Sequence, residues 1–430
     1  MRSMRKTTAV AASAALISLV LAACGTGTAG GAEPSLRSHE RVAVYTWWAA
    51  GVEKRGLDAL VGVFEKQHPE IQFVNDGLMG GGGSSTSKEH LQSRLETQDP
   101  PDVFVAHAGA ELQDYIKDKH IQDVSGLYQE FGLTEAFPKD LLDRLSTKDG
   151  KIYSIPSNIH RANLLWANPR VLEQNGIEPS AEYDSLDAFI ADLEKLKNAG
   201  IKAPLSVGTT WPQVHLLETT LLADLGPEAY SGLWNGSTAW SDSRVTTALE
   251  HYGTLMSYTN PDRDELEWDA ASAMVIGGES AFNIMGDWAL AAYDTEDKAY
   301  GTDYRVVPAP GTSGTFDFLA DSFTMSSGIL DEDSAKAWLE TVSSKEGQVA
   351  FNKIKGSIPA RTDVDPGQFT EYQKTAIQSF GQDTIVSSVT HGAAVPISQL
   401  DAITAAVVAF NSGETDVAGF QAALGASAEG

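Results

Sequence analysis

The chain has a single cysteine, Cys24, among its 430 residues. No disulfide can therefore form within one chain, whichever compartment it reaches. Basic residues are also scarce: 31 Lys and Arg stand against 58 Asp and Glu, for a formal net charge of −27. This acidity argues against nucleic acid, or an anionic membrane surface, as a partner. It places no constraint on a neutral ligand.

Long apolar runs are missing too, apart from one near the N-terminus. There Arg2, Arg5 and Lys6 precede an apolar, small-residue segment at 7–20. That segment is shorter than the ~20 residues a helix needs to cross a bilayer. The arrangement predicts a secretory signal peptide over residues 1–23.

Leu21-Ala22-Ala23-Cys24 ends the apolar segment and resembles the lipobox of bacterial lipoproteins. The resemblance implies that Cys24 is acylated, becomes the first residue of the mature chain and anchors it to the outer face of the cell membrane. Residues 24–40 are rich in Gly, Thr, Ala and Ser, and we expect them to form a flexible tether.

The length of the chain exceeds what one hydrophobic core supports, so two domains are expected. Residues 42–46 and 71–74 have strand patterns, and apolar residues recur at helical spacing between them, which indicates a β-α-β unit. Trp47 and Trp48 follow the first strand, and His107 follows a third strand at 103–106. The carboxyl ends of such strands face the ligand crevice of an open α/β sheet.

The second half of the chain repeats this pattern. Residues 279–285 form an apolar run typical of a strand buried on both faces, and Gly286 and Asp287 separate it from Trp288. We interpret Trp288 as the floor of a ligand pocket at a strand end. The alternative is a tryptophan packed in the core, which is the commoner fate of a single large aromatic residue.

Three extended segments, at 151–166, 304–311 and 355–359, are interpreted as crossings between lobes. The predicted fold class is α/β, with two lobes, three inter-lobe crossings that act as a hinge, and a central ligand cleft. The predicted N-lobe comprises 41–156 plus 308–355, and the C-lobe 157–307 plus 356–430.

An ordered set of motifs resembles the extracytoplasmic solute-binding proteins of ABC importers, in particular the bacterial glucose/mannose-binding group. The set comprises Tyr45-Thr46-Trp47-Trp48, Asp99-Pro100-Pro101-Asp102, His107-Ala108-Gly109, Asn158-Ile159-His160-Arg161, Leu233-Trp234-Asn235-Gly236, the segment from Ala281 to Trp288, Asp321-Ser322-Phe323, Lys355-Gly356-Ser357-Ile358 and Val389-Thr390-His391-Gly392.

The resemblance implies a periplasmic-binding-protein-like fold that closes around one hexose and delivers it to an ABC permease. Trp288 would then stack on the sugar ring. The resemblance implies further site residues, which would line the site or form hydrogen bonds with sugar hydroxyl groups: Trp47, Trp48, Glu53, His107, Trp268, Asp321, Lys355 and His391. A monomer that needs no cofactor and catalyses no reaction is the expectation for this group.

At single positions, a purely structural role is the alternative to ligand binding. A lone His107 or His391 is more often a structural histidine than a ligand contact, and Asp321 has an alternative as a turn former. The sequence does not decide whether His160 and Trp211 line the pocket or have a packing role. Trp234, Trp240 and Trp338 are interpreted as packing residues.

Two alternative functions remain at this point. A lipoprotein could bind an oligosaccharide, or it could be a glycoside hydrolase with Glu53 and Asp321 as its two carboxyl groups. The sequence lacks the short catalytic and metal-binding motifs, so no metal site is predicted. The glycine-serine loop at 79–85 lacks the Gly-Lys-Ser/Thr ending and is given no phosphate role.

Overall fold

The structure is a computed structural model that describes residues 41–77, 85–179 and 182–428. The predicted signal peptide, Cys24, the tether and residues 79–84 of the glycine-serine loop lie outside the described residues. In the described part of the chain, no helix combines the length and the apolarity that a membrane span requires.

The strands and helices alternate along the described chain. The strands are β1 Arg41–Tyr45, β2 Gln72–Asn75, β3 Val103–His107, β4 Ile155–Pro156, β5 His160–Arg161, β6 Leu164–Ala167, β7 Leu205–Ser206, β8 Phe282–Ile284, β9 Arg305–Pro308, β10 Thr315–Leu319, β11 Asp321–Met325 and β12 Thr384–Ser387. The helices are α1 Gly51–Gln67, α2 Ser85–Glu96, α3 Leu112–Lys117, α4 Ser125–Glu130, α5 Leu133–Ala136, α6 Lys139–Leu145, α7 Pro169–Gln174, α8 Leu186–Asn198, α9 Thr210–Asn235, α10 Ser243–Met256, α11 Trp268–Gly277, α12 Leu290–Thr295, α13 Glu332–Ser343, α14 Lys345–Lys355, α15 Glu371–Gln382, α16 Ile397–Asn411 and α17 Val417–Ser427.

The predicted β-α-β unit is confirmed at the start of the fold. Strand β1 pairs in parallel with β2 and β3, and its last four residues are buried. Helix α1 buries Leu57, Leu60 and Phe64, which recur at helical spacing. Because β1 and β3 run the same way, Trp47 and His107 emerge at the same edge of the sheet.

A strand from far downstream completes this sheet, whose order is β2-β1-β3-β11-β4. Strand β11 runs antiparallel to β3, in a register that places Asp321 opposite His107. Sheet pairing therefore joins two predicted site residues that lie more than two hundred positions apart in the sequence.

Two further sheets have the orders β7-β8-β6-β9 and β12-β10-β5. The buried apolar residues form two large clusters. One cluster includes Leu60, Phe64 and Trp338, and the other includes Phe189 and Tyr252. Two large cores are what a chain of this length requires. Trp338 is fully buried, which confirms its interpretation as a packing residue.

Two of the three predicted crossings lie side by side. Ile159 and Ile358 exchange backbone hydrogen bonds of 2.8 and 2.9 Å, so the segments around them form an antiparallel bridge. The segment at 304–311 begins with the edge strand Arg305–Pro308, which pairs with β6, and the chain then passes to β10 in another sheet. A further passage between sheets occurs at Ala320, between β10 and β11. No glycine or proline marks that position, so no local pattern predicted it.

Two predicted elements have shifted boundaries. The apolar run at 279–285 supplies only the short strand β8, and a 3-10 turn at Asp287–Ala289 precedes helix α12. The stretch from Ser334 to Asn352 is two helices rather than one, because Ser344 caps α14 by accepting a hydrogen bond from the amide of Gly347 at 3.0 Å. Lys355 is the last residue of α14.

Candidate functional site

A narrow cleft is lined by side chains from distant parts of the sequence and holds about 340 Å³ of empty space. Its lining residues are Trp47, Glu53, His107, His160, Trp211, Trp268, Trp288, Leu319, Asp321, Lys355 and His391. The fold thus brings together eight of the nine residues predicted from the sequence. His160 and Trp211, which the sequence left open, line the cleft as well.

Trp48 is the exception, because it does not line the cleft. Its side chain is fully buried and packs on Phe323 and Phe351, with ring centroids 5.9 and 5.0 Å away. The Lys355 ammonium lies 4.9 Å from its ring. Trp48 therefore supports Lys355 from behind through a cation–π contact.

Glu53 and Lys355 form a buried ion pair at one side of the cleft. Their side chains are only 11% and 3% exposed. The Lys355 ammonium has three donors, so its bond to Glu53 leaves others for a ligand. Both residues were expected to bond sugar hydroxyls, and the structure shows that each also holds the other in place.

Asp321 is fixed by two neighbours from the first crossing segment. Asn158 donates from its Nδ2 to Asp321 Oδ2 at 2.8 Å, and its Oδ1 accepts the backbone N–H of Asp321 at 2.8 Å. His160 Nε2 lies 3.3 Å from Oδ2. Burial would raise the pKa of Asp321, but the hydrogen bond from His160 and the charge of Lys355 bring it well below its usual range. The carboxylate is therefore ionised.

His160 lies between two carboxylates. Its Nδ1 bonds Asp287, which also accepts hydrogen bonds from the backbone N–H of Arg161 and the hydroxyl of Tyr372, both at 3.1 Å. Burial lowers the pKa of His160, but the charges of Asp287 and Asp321 and the hydrogen bonds to them together outweigh it and raise the pKa above 6.5. His160 therefore pins the crossing strand and also presents its ring to the cleft.

His107 is held by a second acidic residue, Glu111, which lies four residues later, just before helix α3. Its Nδ1 lies 2.7 Å from Glu111 Oε2, which Lys88 also contacts at 2.9 Å. Burial would raise the pKa of Glu111, but Lys88 and His107 lower it to about 2. His107 Nε2 points toward Asp321, 3.8 Å from Oδ1. His107 therefore has one nitrogen anchored and the other directed to the cleft.

Aromatic rings form the opposite wall around Trp288. The Trp288 ring lies 4.9 Å from His391 and 6.2 Å from Trp211, measured between centroids. Gly286 takes an ordinary φ of −68°, so no left-handed turn requires the glycine. A Cβ at this position would lie 2.1 Å from the Trp288 ring, so the indole itself requires a glycine there.

His391 lies in the turn that follows β12 and completes the aromatic wall. Its Nδ1 lies 2.9 Å from Ser388 Oγ. Burial, with smaller contributions from the neighbouring rings of His215 and His107, lowers the pKa of His391 well below 6.5. The imidazole is therefore neutral at physiological pH, unlike His160.

Sequence reasoning missed the residues that position the cleft. Asn158 belongs to a motif noted above, but no role was given to it. Glu111 follows His107 at a helical spacing, which was the available signal. Asp287 carried none, because its partners lie far away in the sequence. Among the described residues, one group has the geometry to hold a metal ion: His215, Glu218 and His391.

Comparison with known proteins agrees with this architecture. Residues 43–349 match the family described as bacterial extracellular solute-binding protein. The chain is 33% identical over 389 residues to an uncharacterized ABC transporter extracellular-binding protein of Pyrococcus horikoshii, covering 89% of this chain and 87% of that one. It is 30% identical over 423 residues, 96% of each chain, to a probable sugar-binding periplasmic protein of Rhizobium meliloti.

The fold is also similar to a solved structure named chitin oligosaccharide binding protein. The TM-score is 0.78 at 21% sequence identity, over 91% of this chain and 99% of the other. This likeness confirms the predicted two-lobe α/β fold. Together with the match to the family over most of the sequence, it shows that the chain belongs to the bacterial extracellular solute-binding proteins.

Proposed function

We propose that this chain is the receptor of an ABC sugar importer and captures a single hexose, glucose foremost, with mannose or galactose tolerated. The observation that carries the proposal is the composition of the cleft, in which one indole faces a set of fixed hydrogen-bonding groups. The apolar C–H face of a pyranose matches the Trp288 ring. Its hydroxyl groups match the donors and acceptors of Lys355, Asp321, His107 and His391.

The size of the cleft supports one sugar ring rather than several. The empty space of about 340 Å³ counts the opening of the cleft to solvent as well as its interior, so the enclosed part leaves no room for several rings. An oligosaccharide remains the second candidate, because the similar solved structure carries the name of a chitin oligosaccharide binding protein. A longer sugar would require a cleft that extends beyond the residues that line this one.

Entry of a sugar requires the lobes to part. The volume that the centres of water molecules can occupy inside the cleft is about 30 Å³. This volume is enough for about two or three water molecules. The paired segments at Ile159 and Ile358, and the passage at Ala320, are the segments that would bend. We infer that the sugar binds with the lobes apart and that closure buries it, after which the closed form docks on the permease.

The carboxyl groups of the cleft favour binding over hydrolysis. A glycosidase needs one carboxyl group that stays protonated as a general acid. Asp321 is held ionised, and Glu53 is paired with Lys355. Asp321 is therefore not poised to donate a proton, and the family is one of binding proteins. Attachment to the membrane through Cys24 completes the proposal for an extracytoplasmic receptor.

Isothermal titration calorimetry of the purified protein tests the proposal. Glucose, galactose, mannose, xylose, maltose and a chitin disaccharide are titrated separately, and each mixture is then analysed for hydrolysis. Stoichiometric binding of one hexose, stronger than that of either disaccharide and without turnover, is the expected result. Preference for a disaccharide would show that the ligand is an oligosaccharide rather than a hexose. Cleavage of maltose would show that the protein is a hydrolase.

A further inference from the structure

A buried polar cluster behind the aromatic wall is not explained by sugar binding. His215 and Glu218 lie one turn apart on α9, so they face the same side of the helix. His391 reaches them from the turn after β12. One potential ligand atom from each residue lies within 4.8 Å of the other two, and all three side chains are buried.

His215 is the unusual member of this cluster. Its side chain is fully buried, yet neither ring nitrogen has a hydrogen-bond partner among the described residues. The backbone of Ala162 lies near the ring but outside hydrogen-bonding geometry. Its ring centroid is 5.5 Å from that of His391. A buried imidazole without partners is costly to fold, so it needs a further explanation.

Glu218 supplies the negative charge of the cluster. Its Oε1 accepts a hydrogen bond from the Ser388 hydroxyl at 2.8 Å, and its Oε2 accepts one from the backbone N–H of Thr390 at 2.6 Å. Each carboxylate oxygen has a second lone pair that can bind a cation.

The hydrogen bonds of Ser388 set the tautomer of His391. The single hydroxyl proton of Ser388 goes to Glu218, so Ser388 Oγ accepts from Nδ1–H of His391 at 2.9 Å. The lone pair of the His391 ring is therefore on Nε2. A histidine whose other nitrogen is anchored in this way is the usual arrangement at metal sites.

We propose that His215, Glu218 and His391 bind one divalent metal ion of the zinc class. Two imidazoles and one carboxylate are a donor set of zinc sites, which leave a fourth position for water. Magnesium and calcium prefer all-oxygen sites and fit less well.

Metal and sugar compete for His391. Its Nδ1 is engaged by Ser388, so Nε2 is the one nitrogen free for either partner. This second half of the inference rests on the proposed function, since it takes His391 as a sugar contact. Because linkage is reciprocal, bound zinc weakens sugar binding by the same factor by which bound sugar weakens zinc binding.

Cobalt titration of the untagged, metal-free protein tests the site directly, because cobalt(II) in a nitrogen-oxygen site absorbs visible light. The wild type should bind one cobalt per chain, and zinc should displace it. His215→Gln and Glu218→Gln should each lower cobalt affinity at least tenfold. His120→Gln, which alters a histidine outside the cluster, should bind like the wild type. Absence of cobalt binding, or equal binding by His215→Gln, would overturn the proposal.

Glucose titrations with and without saturating zinc test the competition. The apparent Kd for glucose should rise at least tenfold with zinc in the wild type and stay unchanged in His215→Gln, which retains the sugar contacts. An unchanged Kd in zinc-loaded wild type would refute the competition. Failure of the metal-free protein to bind any sugar would refute the proposed function instead, while the cobalt titration would still decide the metal site.

Discussion

The two walls of the cleft differ in how their polar groups are satisfied. On one wall Lys355, Asp321 and His107 each contact an ionisable partner, namely Glu53, His160 and Glu111. On the aromatic wall and behind it, the indole N–H of Trp211 and both nitrogens of His215 have no partner among the described residues.

The two walls therefore contribute to binding in different ways. The charged wall is held in place before any ligand arrives, so its groups lose little freedom on binding. The aromatic wall contributes apolar area and leaves polar atoms unsatisfied behind it. We therefore expect substitutions in the charged wall to affect folding first, and substitutions in the aromatic wall to affect binding first.

The largest expected effect follows from Lys355→Met, which leaves Glu53 without its buried partner. Removal of one member of a buried ion pair costs about 3–5 kcal/mol of unfolding free energy. Denaturant unfolding without ligand measures this loss. The double variant Glu53→Gln/Lys355→Met should recover part of it, and Lys54→Met, in an exposed pair with Asp58, should change stability by about 1 kcal/mol or less. A single variant as stable as the wild type would show that the charged wall is not held by this pair.

Trp288→Ala should weaken sugar binding by about 1–3 kcal/mol, because it removes the large apolar face on which the ring stacks. Calorimetric titration of the preferred sugar measures the change. Trp240→Ala removes a half-buried tryptophan outside the cleft and should leave the affinity unchanged. Equal affinities for Trp288→Ala and the wild type would reduce Trp288 to a packing residue.

Asp287→Asn should lower the unfolding free energy by an amount that depends on pH. Burial lowers the pKa of His160 and Asp287 raises it, with a net increase above 6.5. Such a histidine stabilises the fold fully below its unfolded pKa, and the contribution is lost as pH rises through the folded value. The variant should therefore lose more unfolding free energy at about pH 5.5 than at about pH 8.5.

A matched control for this pH dependence is Asp303→Asn, which breaks the exposed ion pair with Arg170. That change should cost about 0–1 kcal/mol at both pH values. A loss in Asp287→Asn that is larger at alkaline pH would contradict a protonated His160 between the two carboxylates.

The smallest expected effect is a gain. His215→Leu replaces an unpartnered imidazole by an apolar side chain and should raise the unfolding free energy of the metal-free protein by about 1 kcal/mol. His251→Leu is the contrast, because His251 Nδ1 has a partner in Asp224 at 2.8 Å, and it should lower stability. Urea unfolding in the presence of a chelator compares the two. A loss in both variants would mean that His215 is satisfied in the folded protein.

The local pattern of residues was sufficient to predict much of the fold. Helix α8 has apolar residues at helical spacing, and Ser185 caps it by accepting the amide hydrogen bond of Ala188. The β-α-β start and the strand-end positions of Trp47 and His107 were predicted, since they depend on neighbouring residues. The passage at Ala320 was not, because no glycine or proline interrupts the strand-like stretch between Phe316 and Met325.

The sequence by itself determined the composition of the cleft, since the residues at strand ends and the resemblance of the motifs named nearly every side chain that lines it. Only the tertiary structure decided what holds those side chains, because each partner comes from a different element. Glu53 meets Lys355 across 302 positions, and His160 meets Asp287 across 127. Periodicity reports which face of one element is buried, whereas charges that pair between distant parts of the sequence leave no local pattern.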